Sequence, residues 1–128
     1  NFFWPLHPKI YKIIKKNKLK IPKNLIISNP ISYFNTLKLI NDAEFIVSDS
    51  GGVLREAYFL RKKTFILRKE TEWPELLKNN SAKLIGNDLK KIRNSKPFLK
   101  SRIKNYVALG DGNTSKKIAK LITKLINS

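Results

Sequence analysis

Residues 45–57 read FIVSDSGGVLREA: an apolar, β-branched run, then Asp49-Ser50-Gly51-Gly52, then an amphipathic helical segment. This is the pattern of a parallel strand that turns directly into a helix, and reading outward from it decides the fold. On either side, short apolar runs alternate with helix-period segments about every twenty residues. "FFWPL" reads as a strand, and "KIYKIIKKN" as a helix with Ile10, Ile13 and Ile14 on one face. "NLIIS" is the next strand, followed by a helix in "SYFNTLKLINDA" with Tyr33, Leu37 and Ile40 on one side. "EFIVS" is continuous enough to suit a central strand buried on both faces. The helix "GGVLREAYFLRK", the strand "TFILR", a short helix "WPELLKNN" opened by Pro74 and a last strand "AKLIG" follow. "DLKKIRNSKPFLKSRI" reads as a helical stretch interrupted by Pro97, and "SKKIAKLITKLINS" as a helix with an apolar stripe of Ile118, Leu121, Ile122, Leu125 and Ile126. The expectation is an α/β, Rossmann-like three-layer domain with a parallel sheet, spanning residues 1–128 as a single domain.

Composition narrows the chemistry. The chain has 128 residues, 41% of them hydrophobic, which suffices for one real core. It has no cysteine and one histidine, His7, so neither a disulfide frame nor a histidine metal cluster is expected. No apolar run approaches the roughly 18–20 residues of a membrane span, and "NFFWPLHPKI" lacks the plan of a signal peptide. A soluble, cytoplasmic protein is the expectation. The net charge of +18 points to an anionic partner: nucleic acid, an acidic membrane or a phosphorylated ligand. Its lysines are scattered over polar faces along the whole chain, whereas five of its nine acids (Asp49, Glu56, Glu70, Glu72, Glu75) fall between positions 49 and 75. Carboxylates concentrated there disfavour a surface that grips a phosphodiester backbone.

Ligands of parallel α/β folds bind at the carboxyl ends of the strands, where Asp49–Gly52 lies. Gly51 and Gly52 let backbone amides approach an anion at the positive end of the following helix, and Ser50 adds a hydroxyl. A phosphate or diphosphate is the natural guest; a plain capping turn is the alternative that the two glycines alone leave open. Glu56, one helical turn on, is placed for sugar hydroxyls. Arg68, ending the next strand, is placed for phosphate oxygens. The neighbouring "KETEWPE" brings Glu70 to Glu75 to the same edge, and a Trp among acids is unusual in a mere connector.

Taken together, "SDSGGVLREAYFLRKKTFILRKETEWPELLKNNSAKLIG", "PLHP", "NPISYFNTLKLI" and "GDGNTSKKIAKLI" resemble the C-terminal domain of the non-hydrolysing UDP-N-acetylglucosamine 2-epimerases. The combination of D-S-G-G, an arginine ending the next strand, T-E-x-P-E and a late G-D-G carries the resemblance over nearly the whole chain. It implies the C-terminal half of a GT-B fold, in which Ser50, Gly51 and Gly52 bind the UDP diphosphate, Glu56 the ribose and Arg68 the phosphates. Uracil contacts fall near Ile31 and Thr36, where Thr36 replaces an aromatic residue often found in the family; Arg55 stands where a second acid is common. The implied reaction interconverts UDP-N-acetylglucosamine and UDP-N-acetylmannosamine without a redox cofactor or metal. Its acids and bases belong to an N-terminal catalytic domain not represented here, so this domain alone is expected to lack turnover, with Arg68 stabilising the leaving diphosphate. His7 either borders the cleft or a regulatory sugar-nucleotide site, or is structural. The family commonly forms homodimers. The alternatives are the donor-binding half of a GT-B glycosyltransferase, which seldom carries T-E-x-P-E, and a basic nucleic-acid or membrane-surface module.

Overall fold

The computed structural model describes residues 1–104 and 111–127. Among these the chain forms two compact units, residues 1–43 and 44–128.

In the first unit, β1 (Phe2–Pro5) pairs in parallel with β2 (Leu25–Ser28), Phe2 opposite Leu25 and Pro5 opposite Ser28. Between them runs α1 (Pro8–Lys16), with Pro8 in its first turn, where a missing N–H costs nothing, and His7 as its cap. Of the three isoleucines expected on one face, Ile14 is buried while Ile10 and Ile13 stay exposed. The next helix, α2 (Tyr33–Asp42), is capped by Ser32, whose hydroxyl accepts from the Asn35 amide, and buries Ile40.

The second unit carries the opening stretch. Here β3 (Phe45–Ser48), β4 (Lys63–Ile66) and β5 (Ala82–Leu84) form a parallel sheet in the order β3-β4-β5. The connections are α3 (Gly51–Phe59) and α4 (Pro74–Lys78). The strand buried along its whole length is β4, which has a hydrogen-bonded neighbour on each side, and not β3, which is half-buried at the edge of this sheet. Continuous apolar sequence therefore marked the wrong strand as central: Lys63 makes β4 look partly polar, yet it is buried with the rest. Its ammonium donates to the Asn80 carbonyl and, at 3.1 Å, to Ser101 Oγ, and lies 4.6 Å from the centre of the Phe98 ring. Burial pulls the Lys63 pKa below its ordinary value.

Two apolar clusters flank this sheet. Leu54, Tyr58, Ile66, Leu76 and Ala82 join α3 to α4, with Trp73 packed against them. Phe65, Ile85 and Phe98 form the other, in which the Phe65 ring meets Phe45 and Phe98 at centroid distances of 5.6 and 5.3 Å. Asn79, just past α4, ties the first cluster together: its amide nitrogen donates to the Tyr58 hydroxyl at 2.9 Å and its amide oxygen accepts from the Ser81 N–H at 3.0 Å.

Beyond β5, the expected long helix is two short ones, α5 (Leu89–Arg93) and α6 (Lys96–Lys100). The break falls at Asn94-Ser95, and Pro97 stands in the first turn of α6, starting a helix rather than interrupting one. Of the late G-D-G, Gly110 lies outside the described residues. Asp111 accepts from the Asn113 amide at 3.0 Å and from Lys117 at 2.7 Å, and Gly112 takes φ +75, so these residues shape the turn that leads into α7 (Thr114–Ile126). The predicted stripe of α7 exists as a helix face, and all five of its residues are exposed. No helix of the described residues is long and apolar enough to cross a membrane.

Candidate functional site

The site is built where β3 ends. Ser48 closes the strand and its hydroxyl accepts the Ser50 N–H at 3.1 Å, which bends the chain at Asp49 and starts α3. Ser50 occupies the cap position, yet its side chain makes no capping bond. The usual local use of a serine there is thus not taken up, and the hydroxyl stands exposed beside the first amides of α3. Gly51 and Gly52 are the first two helical residues; Gly52 is exposed, and Gly51 is half-buried beneath the Glu72-Trp73 segment. A Cβ built on Gly51 would stand 3.8 Å from Trp73 Nε1 and 3.9 and 4.0 Å from the Glu72 carboxylate oxygens; on Gly52 it would stand 3.9 Å from Ser50 Oγ. Glu56, half-buried, follows one turn along α3.

Arg68 lies two residues past β4, on the segment leading to α4. One of its guanidinium nitrogens donates to Glu72 at 2.6 Å, a contact in which both side chains reach solvent. A hydrogen bond from the Glu72 backbone amide, and then the Arg68 bond, hold the Glu72 carboxyl below the usual carboxylate range. The Arg68–Glu72 segment and Asn87 line a cleft of about 480 Å³. Gly86, at φ +54, lies against the Arg68 backbone: its Cβ position would be 3.7 Å from the Arg68 carbonyl oxygen.

The second unit therefore brings Ser50, Gly51 and the Glu72-Trp73 segment together, with Arg68 bound to Glu72. Sequence reasoning did not find two of these contacts. The Arg68–Glu72 pair has the i, i+4 spacing of a helical pair, but it sits in irregular chain, where that rule gives no warrant. Arg55, flagged only as the replacement of an acid, lies with its guanidinium 5.0 Å from the centre of the Trp73 ring.

Ile31, Thr36 and His7 belong to the first unit. Ile31 is half-buried just before α2. The Thr36 hydroxyl donates to the Ser32 carbonyl at 3.0 Å within its own helix. His7 Nδ1 accepts the Lys9 N–H at 3.2 Å, the work of a helix cap. Among the described residues, no three or more His, Cys, Asp or Glu side chains are grouped to hold a metal ion.

Parallel strands joined through helices define the class: an α/β domain whose strand-to-helix turn stands at the carboxyl edge of its sheet. More particularly, the chain belongs to the UDP-N-acetylglucosamine 2-epimerase family, whose model matches residues 1–123. A UDP-N-acetylglucosamine 2-epimerase homolog of Methanococcus maripaludis is 37% identical, over 95% of this chain and 36% of its own length. A UDP-N-acetylglucosamine 2-epimerase of the same organism is 36% identical, over 95% of this chain and 35% of its own. In solved structures, the Methanocaldococcus jannaschii UDP-GlcNAc 2-epimerase in complex with UDP-GlcNAc and UDP superposes with a TM-score of 0.82 at 31% identity, covering 95% of this chain and 35% of that one. This chain spans about a third of the length of these relatives. The expected α/β class and its kinship with the GT-B epimerases are borne out.

Proposed function

We propose that this chain is the UDP-binding domain of a UDP-N-acetylglucosamine 2-epimerase, seating the diphosphate at Ser50–Gly52. One observation carries the reading: in a member of this family, Ser50 occupies the cap position of α3 without capping it, directly before two glycines. The α3 amides and Ser50 Oγ would receive phosphate oxygens, Glu56 would accept from the ribose hydroxyls, and Arg68 would hold the remaining phosphate charge. For the base, the resemblance points to Ile31 and Thr36; the Thr36 hydroxyl donates within α2 and keeps its lone pairs for accepting.

In the reaction, a base removes the C2 proton of the sugar while the C1–O bond breaks and its electron pair leaves with UDP. Re-addition of UDP, with protonation at C2 from the opposite face, gives the epimer. Arg68 and the α3 amides stabilise the diphosphate while it carries the extra charge. The proton-transfer groups belong to the N-terminal catalytic domain, so the domain alone binds without turning over. The substrates are UDP-GlcNAc and UDP-ManNAc, and the full protein works as a homodimer in the cytoplasm.

Titration of the ¹⁵N-labelled chain with UDP at moderate salt tests this, with Glu56→Ala and Arg68→Ala alongside. Localised shifts from Ser50 to Glu56, weakened by both substitutions, are expected. CMP and a short oligonucleotide serve as controls. Unmoved Ser50–Glu56 amides, with an oligonucleotide perturbing the lysine-rich flanks, would replace this reading with a basic-surface one.

A further inference from the structure

We propose that Trp73 is an additional anion-binding residue of this site: its indole N–H donates to the diphosphate at Ser50–Gly52, and Arg55 holds the ring in position. The inference rests on the diphosphate reading above.

Trp73 has two ends in different surroundings. Its ring packs against the cluster of Leu54, Tyr58, Ile66, Leu76 and Ala82, which anchors it to the core between α3 and α4. Its Nε1 lies 3.8 Å from where a Gly51 Cβ would be, beside the opening amides of α3. An indole nitrogen is a donor only, so it partners hydrogen-bond acceptors, phosphate oxygens among them, and repels no anion. The backbone on which it stands is fixed from both sides, by the Trp73 N–H donating to Thr71 Oγ1 at 3.2 Å and by Pro74 behind it. The geometry is that of an amphipathic aromatic with its body in the core and its polar tip at a charged site.

Arg55 completes the arrangement. Its guanidinium stands 5.0 Å from the ring centre, close enough for a cation–π contact that fixes the ring plane and adds positive charge near the seat. The Glu72 carboxylate lies equally close to the Gly51 Cβ position, but it is paired with Arg68 at 2.6 Å. A diphosphate arriving there therefore meets Arg55, the neutral Arg68–Glu72 pair, the α3 amides and an indole N–H, with Asp49 and Glu56 the further carboxylates on the same turn and helix. This also gives a use to the Trp-among-acids segment and to Arg55, neither of which the ribose and phosphate assignments employ.

The test is the indole resonance itself. The chain has two tryptophans, Trp4 and Trp73, and Trp73→Phe identifies which indole signal is which while keeping an aromatic ring in the core. On UDP titration the Trp73 indole proton is expected to move downfield and to saturate with the Ser50–Glu56 amides; uridine, which lacks the diphosphate, should leave it in place. Trp73→Phe should weaken UDP binding about ten-fold or more, the usual effect of losing a hydrogen bond to a charged group, with uridine affinity unchanged. Arg55→Ala should weaken UDP binding and reduce the indole shift, and Arg55→Lys should restore part of both. An unmoved indole with wild-type affinity in Trp73→Phe, while UDP still shifts the α3 amides, leaves the nucleotide site standing and overturns this inference. If UDP shifts neither, both fall together.

Discussion

Removing one oxygen atom from Tyr58 measures how firmly the site-bearing helix is held. Tyr58 is 1% exposed on α3, and its hydroxyl accepts from the amide nitrogen of Asn79, itself 7% exposed, at 2.9 Å. Tyr58→Phe keeps the ring in the Leu54–Leu76 cluster and leaves the Asn79 donor without this acceptor in a place water reaches poorly. A buried donor stranded in this way costs about 1–3 kcal/mol. For a chain of this size that corresponds to a fall in Tm of roughly 3–12 °C. Asn79→Ala should cost more, because it also removes the acceptor of the Ser81 N–H. The double variant should be less destabilised than the sum of the two, by about 0.5–2 kcal/mol, since both remove the same bond. Urea and thermal unfolding followed by circular dichroism give all three values. A neutral Tyr58→Phe, or strict additivity in the double variant, would refute the claim that this bond ties α3 to the end of α4.

Four further outcomes are expected. Gly51→Ala should fold normally, because the added methyl meets only ordinary contacts and helix propensity gains up to about 1 kcal/mol, yet it should lose UDP affinity in the NMR titration. Gly86→Ala should cost about 1–2 kcal/mol by urea unfolding, from its positive φ alone, with Gly86→Asn costing less. Lys63 has a folded-state pKa below its unfolded value, so the unfolded chain binds more protons between the two; its contribution to stability must rise as pH climbs through that window toward 10.5. Urea midpoints from neutral to alkaline pH should show that rise in the wild type relative to Lys63→Met. Leu121→Lys and Leu125→Lys, on the exposed face of α7, should leave the unfolding free energy within about 0.5 kcal/mol of wild type by urea titration.

The strand-turn-helix at residues 45–57 was legible because its signals are local: an apolar β-branched run, a Ser-Gly-Gly turn and a helical period, each readable without knowing what packs against it. The same locality explains the errors. Which strand is central depends on pairing partners, so Lys63 disguised β4, and its burial becomes intelligible only once the Asn80 carbonyl and Ser101 hydroxyl are known to meet it. Pro97 was read as a breaker because the identity of a proline does not say on which side of it the helix lies. Ser50 and Arg68 lie just past strand ends and Glu56 one turn along α3, placements that local sequence signals carry. The contact of Arg55 with Trp73 joins α3 to the segment after β4, and only the crossover through β4 brings them together.

That crossover also has a bearing on how the chain folds. Phe45 pairs with Lys63 and Thr64 with Ala82, so each neighbour of β4 is joined to it across the same eighteen-residue step. Parallel pairing excludes a hairpin start, and each crossover must close before its own ladder returns any hydrogen bonds for the entropy lost. β4 belongs to both closures, so its apolar contacts are expected in the folding nucleus. Substitutions such as Ile66→Val should accordingly slow refolding more than they hasten unfolding, and during synthesis the β3-β4-β5 sheet is complete only after Leu84 has left the ribosome.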